Sequence, residues 1–555
     1  VIRAKRMTRY VLVLVVMMSV VLAACTKTES GNNGKVVTPP SDPGKTTDEG
    51  QQTDNKELSG NLNIVLPQQS SEVWNKVADA YMSKHPDVKV NVEIKPLKGY
   101  KEWLTAQFAA GDPSVDLAVI NEVVDLQAQR KFVNYYPWFD KTNPYTGKPW
   151  KESFNLEAMG INLGAVGADD SLYTLNFETV QILWLYNKEI FAQVGATEPP
   201  QTFDELIAIF EKVKIAGLTP FAIAGDSASI WSGQAGWLMR IYPDQYFRDS
   251  IEISRSQEQD YTYNPDIDDS WSYDVTDPYN DSESRVSKNP LRVWKAIQDQ
   301  QGDYKMADNP SWKAVMENLK TLFSYTPEGF FGINDTQAYQ LFLTGKAAAM
   351  LGAPSAYWQL PKDFADADKT GAQGGVKPFE FGFYNMPSME GEHVQAPART
   401  IQLPIGFYGL VQKDAKQTEL SVDFMMYLTS PEGYSVYVTA IQNSRDAALN
   451  GPPALNDITL PEEMSKAFAS FEPIGNLEGM QGPANTIARG LQDYQPSVQE
   501  YVSLVQQYFF DKLTVDDYLV KMQEQMLRYL PEALTFRKLD LTDLDHPERQ
   551  PPKRE

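Results

Sequence analysis

The folded part of the chain opens with two alternating periodicities. Residues 61–66, NLNIVL, alternate polar and apolar and then turn polar at Pro67, Gln68, Gln69 and Ser70, the pattern of a strand that runs out into a loop. Apolar positions recur at Val73, Val77, Ala80 and Tyr81 within 72–85, which predicts a helix, and Pro86 stops it. A second alternating strand follows at 88–94 (VKVNVEI), a second helix at 100–110, a break at Gly111, Asp112 and Pro113, and an apolar third strand at 115–120. Strand, helix, strand, helix, strand at this spacing predicts an α/β fold with a largely parallel sheet.

Ahead of this fold the pattern changes twice. Lys5, Arg6 and Arg9 precede an apolar run from Tyr10 to Leu22, which is shorter than a bilayer crossing needs and ends in Ala23, Ala24 and Cys25. That is the layout of an export signal over 1–24. Cys25 is the only cysteine of 555 residues, so no intramolecular disulfide can form, and a thiol just after small residues points to acylation. The string LAAC resembles the bacterial lipobox, which implies cleavage before Cys25 and a lipid on its sulfur that holds the chain at the extracellular face of the cell membrane. An ordinary secretory signal with an incidental cysteine is the alternative. Residues 25–58 carry almost no large apolar side chain and are expected to be a flexible linker. A charged tail is expected at 536–555.

Residues 59–535 are more than one core usually serves, so two lobes are expected. The formal charge of −23 argues against nucleic acid or anionic lipid as a partner. Aromatic residues make up 12% of the chain, many in polar contexts, a surplus suited to flat stacking surfaces. The three histidines, His85, His393 and His546, lie far apart, and no P-loop, G-x-G-x-x-G or G-x-S-x-G motif is present, so no metal, nucleotide cofactor or hydrolase elbow is expected. A glycosidase needs only two close carboxylates, which leaves that reading open in so acidic a chain. Asn264, Asp266, Asp268 and Asp269 could gather oxygens around calcium, yet the loop lacks the glycine and distal glutamate of an EF-hand and reads as a plain acidic loop.

Six passages occur in one order: FAAGDPSVDLAVI (108–120); the run at 172–225 that contains YNK, PPQTFDEL and GLTP; FLTGKAAAMLGAPSAYW (342–358); FGFYNMP (381–387); YGLVQKDAKQTELSVDFMMYLTSPEGY (408–434); and TVDDYLVKMQEQM (514–526). In this order they resemble the bacterial extracellular solute-binding proteins of ABC transporters, family 1, the maltose-binding-protein-like group. Several have local reasons of their own. Pro199 and Pro200 stiffen a turn, Thr202 stands where an N-cap hydroxyl is wanted, and Glu205 completes a capping box. Asn187 reads as a turn former after a strand, and the stretch from Gly345 to Met350 as a helix giving way to a buried strand. These motifs mark the fold rather than the site.

The resemblance implies the two-lobed periplasmic-binding-protein fold (type II), each lobe a mixed, mostly parallel sheet flanked by helices, with ligand trapped in the interlobe cleft by hinge closure. It places lobe 1 at about 59–175 and 380–432 and lobe 2 at about 180–375 and 435–535. The crossings then fall near 174–180, near 375–381 and after Pro431. The acidic, aromatic stretch at 244–303 is expected as an insertion near or over the cleft mouth. Candidate ligand contacts are Gln68, Gln69 and Ser70 after the first strand, Asn121 and Glu122 after the third, and Glu178 on the crossing segment. To these are added Trp231 after a strand end, Tyr357 and Trp358 after Pro354, and Arg399, with Arg240, as a hydroxyl or carboxylate anchor. Trp231 stands equally well as a core residue under the following helix, and Asp116 is expected to order the loop beneath the site. The implied function is capture of a carbohydrate, an oligosaccharide given the added aromatic material, by a monomeric lipid-anchored protein. It delivers the sugar to an ABC permease without chemistry or cofactor. A peptide or polyamine binder, or a glycan-degrading or adhesive surface lipoprotein, are the alternatives.

Overall fold

The computed structural model describes residues 58–549 apart from 124–125, 128, 156–170, 283–284, 470–473 and 478–482. The expected signal, Cys25 and nearly all of the expected linker lie outside the described residues. β1 (Gly60–Pro67), β2 (Val88–Lys95), β3 (Leu117–Val119) and β10 (Tyr408–Leu410) form the first sheet in the order β10-β3-β1-β2. β1 runs parallel to β2 and β3 because α1 (Ser71–Lys84) and α2 (Tyr100–Ala109) carry the chain back between them. Leu62, Ile64 and Leu66 of this central strand are fully buried in the same core as Val73, Trp74 and Val77 of α1. Each such side chain contributes about 1.5–3 kcal/mol.

The second sheet runs β6 (Thr219–Ala222), β7 (Ala347–Gly352), β5 (Leu183–Asn187) and β8 (Phe381–Tyr384). Only β6 and β7 pair in parallel, and β5 is antiparallel to both neighbours. This sheet is therefore mixed but not mostly parallel. β5 comes straight from a crossing strand rather than through a strand-helix-strand crossover, so nothing obliges it to run with β7. The capping box forms at the start of α3 (Phe203–Ile215): Thr202 Oγ1 accepts from the Glu205 amide, and the Glu205 carboxylate accepts from the Thr202 amide. Asn187 caps the short helix Lys188–Gln193. The later helices of eight residues or more are α4 (Gln234–Asp244), α5 (Pro290–Asp299), α6 (Pro310–Phe323), α7 (Asp335–Leu343), α8 (Ala356–Asp363), α9 (Ala415–Leu428), α10 (Pro431–Asn443), α11 (Glu462–Ala469), α12 (Gln495–Phe509) and α13 (Val515–Arg537).

Between the sheets lies a two-stranded antiparallel ribbon, β4 (Glu178–Gln181) and β9 (Gln402–Ile405), with Glu178 opposite Ile405 and Gln181 opposite Gln402. β4 overlaps the first expected crossing, near 174–180. The other two move. Phe381–Tyr384 pairs with β5 and stays in the second lobe, so the chain returns through β9 and not at 375–381. α10 does not open a third crossing, because its apolar face of Tyr434, Tyr437, Val438 and Ile441 is buried in the first-lobe core, where Met464 and Phe468 of α11 still lie. Among the described residues the next in the second-lobe core is Leu477, whose amide bonds the Thr400 carbonyl.

The acidic stretch at 244–303 is anchored in the second lobe at both ends. Tyr246, Phe247, Leu291, Val293, Trp294 and Ile297 are buried in the second-lobe core. Its acids are turned to internal partners: Asp260 pairs with Arg292 at 2.6 Å, Asp268 accepts from the Asn264 and Ser287 amides, and Asp269 accepts from the Tyr263 hydroxyl. The expected tail is also partly core, since Leu541 is buried against the second lobe beside α5.

Candidate functional site: a groove along the crossing ribbon

Side chains two apart on a strand share a face, so Glu178 and Val180 of β4 point to one side of the ribbon, as do Ile405 and Leu403 of β9. Two cavities open there. Glu178 and Ile405 line one of about 280 Å³ against the first lobe, and Val180 and Leu403 line one of about 570 Å³ against the second. They lie at successive positions along one face of the ribbon, and together they make up the candidate groove.

The first half takes its walls from strand ends. Gln69, Asn121, Glu122 and Glu178, all singled out in the sequence, line it together. Asp116 does not lie beneath this site: it precedes β3 at the other end of the sheet, 1% exposed, accepting from the Asn63 amide at 2.7 Å and the Gln417 side chain at 3.0 Å and paired with Lys413 at 2.7 Å, and none of these residues lines the cavity. Glu178 is the anchor of this half. Its carboxylate accepts from the Tyr437 hydroxyl at 2.9 Å and from the Asn450 amide and side chain at 3.1 and 3.0 Å. Burial pushes its carboxyl above the usual carboxylate range, against the opposing pull of those three donors. Gln68 adopts φ 46° at the strand end and does not line the cavity, and Ser70 is buried with its hydroxyl 3.0 Å from Asp446.

The second half is floored by strand residues such as Leu185, Met350 and Leu403 and walled by helices. Gln234, Trp237 and Arg240 of α4, Asp335 and Tyr339 of α7, and Ala356 and Gln359 of α8 face it. Asp363, 3% exposed, fixes two of these by accepting from the Tyr339 hydroxyl at 2.8 Å and the Gln359 side chain at 2.7 Å. The aromatic candidates fall beside this wall. Trp231 packs on the second-lobe core while its neighbour Ser232 reaches the cavity, and Tyr357 and Trp358 are bypassed by Ser355, Ala356 and Gln359. Arg399 lies outside both halves. Its guanidinium is 2% exposed and is occupied by Asp244 at 2.8 Å, by Asp281 at 2.5 Å and by the Pro278 carbonyl at 3.0 Å, so here it holds the fold. Sequence reasoning missed Trp237, whose signal was its place six residues after Trp231, and missed Tyr100, Phe407, Tyr437 and Asn450 of the first half. No group of three or more His, Cys, Asp or Glu is placed to hold a metal among the described residues.

Two α/β lobes with a groove along their crossing strands have the build of proteins that close on a small solute. The family model of the bacterial extracellular solute-binding proteins matches residues 67–435, and the chain belongs to that family. Among solved structures, a family 1 extracellular solute-binding protein from Bifidobacterium longum subsp. infantis aligns over 84% of this chain and 99% of its own at TM-score 0.52 and 14% identity. Maltose-bound MalE3 of T. maritima aligns over 84% and 100% at TM-score 0.53 and 15% identity. A probable sugar-binding periplasmic protein of Mesorhizobium japonicum is 40% identical over 53 residues, a stretch that spans 10% of this chain and only 12% of that protein. No helix among the described residues is long and apolar enough to cross a membrane.

Proposed function

We propose that this protein captures an oligosaccharide in the groove along the β4–β9 ribbon and hands it, chemically unchanged, to the permease of an ABC importer. It works as a monomer outside the cell, held to the membrane through a lipid on Cys25. The observation that carries the sugar reading is the composition of the groove: Trp237 and Tyr339 on one wall, Tyr100 and Phe407 on the other, interspersed with the amides and carboxylates of Gln69, Asn121, Gln359 and Asp335. Aromatic faces suit the C–H face of a pyranose, and amide and carboxylate groups bond its hydroxyls. Two cavities in line give room for more than one ring. Support also comes from fold neighbours described as bound to maltose and to raffinose and as a chitin oligosaccharide binding protein. A ligand closes the lobes by binding the closed state more tightly, and closure is what a permease can read.

A thermal-shift screen against mono- and oligosaccharides, peptides and polyamines tests this. A ligand at a hundred times its dissociation constant adds about 2.7 kcal/mol. The expected result is an upward shift with one class of oligosaccharide, recovered intact. A shift with peptide or polyamine only, or cleavage of a glycan, overturns the sugar-binding reading.

A further inference from the structure

α8 presents three faces. Leu360, with Phe364 just beyond the helix end, is buried in a second-lobe cluster with Leu185 and Met350, which fixes the helix to its own sheet. Ser355, Ala356 and Gln359 face the larger cavity. The third face, Trp358 and Lys362, is one helical turn long and touches the first lobe.

Lys362 Nζ donates to the carbonyls of Ser444 and Ala447, each at 2.8 Å. Ser444 is the C-cap of α10, so the ammonium sits at the negative end of a thirteen-residue helix, where a cation is favoured. Asp446 lies between those carbonyls in sequence and is itself fixed by the hydroxyls of Ser444 at 2.6 Å and Ser70 at 3.0 Å. Trp358 stands edge-on to Phe468 of α11, with ring centroids 5.1 Å apart, and packs on the first-lobe core. An aromatic pair and a charged donor shared by two carbonyls thus join the lobes in addition to the crossing strands.

We infer that α8 is an interlobe latch: Lys362 on the α10 C-terminus and Trp358 on Phe468 hold the two lobes together in the absence of ligand. The helix that walls the larger cavity then also sets how often the groove opens. A ligand enters when this contact breaks, and the energy of closure comes partly from the protein itself. The inference needs no particular ligand, so it stands or falls separately from the sugar-binding reading.

Amine acetylation of the intact, ligand-free chain, read by mass spectrometry, tests it without any substitution. Lys362 is expected to label at least tenfold more slowly than the exposed Lys369 and Lys377; labelling at their rate overturns the latch. Lys362→Met and Trp358→Ala provide the second arm, read by hydrogen exchange. Both are expected to speed exchange at least tenfold in the groove segments 351–356 and 406–408 while leaving α3 as protected as before. Unchanged exchange in the groove also overturns the inference, and protection of α3 reports that a variant has folded.

Discussion

The two halves of the groove are built from different materials. On the first lobe the wall is made of strand ends and turns together with Tyr100, Lys101 and Leu104 of α2 and Tyr437 of α10, and Phe407 there holds left-handed backbone at φ 51°. A bulky residue in that region costs about 1–3 kcal/mol, offset here by the Phe407 amide bonding Asn176 at 2.7 Å. On the second lobe the wall is made of helix faces, with Trp237, Tyr339 and Gln359 projecting from three helices and Asp363 bracing two of them from behind. A turn-built wall offers backbone and short polar groups; a helix-built wall offers large side chains already in position. Both halves carry aromatic and polar groups, and what supports each half differs accordingly.

The strongest way to separate support from recognition is Arg399→Ala. It leaves Asp244 and Asp281 buried without their shared partner, and loss of one member of a buried ion pair costs about 3–5 kcal/mol. The expected result is a large fall in unfolding free energy by denaturant titration, with the ranking of ligands unchanged. A near-normal stability with a changed ligand ranking would return Arg399 to the binding site. Next in size is Trp237→Ala, which removes the stacking face of the second half. Affinity for the saccharide found in the screen is expected to weaken roughly tenfold to hundredfold, about 1.4–2.8 kcal/mol by calorimetry. Trp231→Phe is expected to leave it within about twofold. The reverse order would mean that the groove closes around Trp231 instead.

This contrast also explains what the sequence could show. Loops after strands can be located from alternation, which places Gln69, Asn121 and Glu122, while Glu178 comes from the crossing segment that the resemblance implies; the four line one cavity. Helix faces cannot be located so well, because one residue along a helix turns the side chain by about 100°. Trp231, Tyr357 and Trp358 lie beside the second cavity without lining it, whereas Trp237 and Gln359 line it. The fold shows the same division. The early strand-helix order and the Thr202 cap are local patterns and are present. The third crossing depended on whether the apolar face of α10 belongs to α1 or to the other lobe, and that is decided by packing between segments about 360 residues apart.

Glu178 belongs to the first half, and its titration gives a smaller effect. Its folded carboxyl titrates above the ordinary value of 4.5, chiefly through burial. Protonation therefore favours the folded state: this contribution is complete below the ordinary value and is lost as pH rises through the elevated one. In Glu178→Gln that loss should vanish. The difference in Tm between wild type and variant, followed from about pH 4 to pH 8, is expected to move in favour of the variant as pH rises. A flat difference curve would show that solvent reaches Glu178 and that the first half stands open.

The smallest effect comes from a site that serves neither half. Thr202 and Glu205 satisfy each other's amides at the start of α3, and the Gln201 amide also donates to Glu205 at 2.8 Å. Thr202→Ala frees the Glu205 amide at a helix start whose first turn also carries Asp204. The substitution is expected to cost about 1 kcal/mol, with Thr202→Asp recovering most of it, since a carboxylate caps as well and suits the helix dipole. Ligand affinity should not change in either variant. Because α3 reaches the groove only through the second-lobe core, a measurable loss of affinity in Thr202→Ala would mean that the helix-built wall transmits strain from its outer layer. The division between a supporting shell and a recognising face would then fail on the side where it is drawn most sharply.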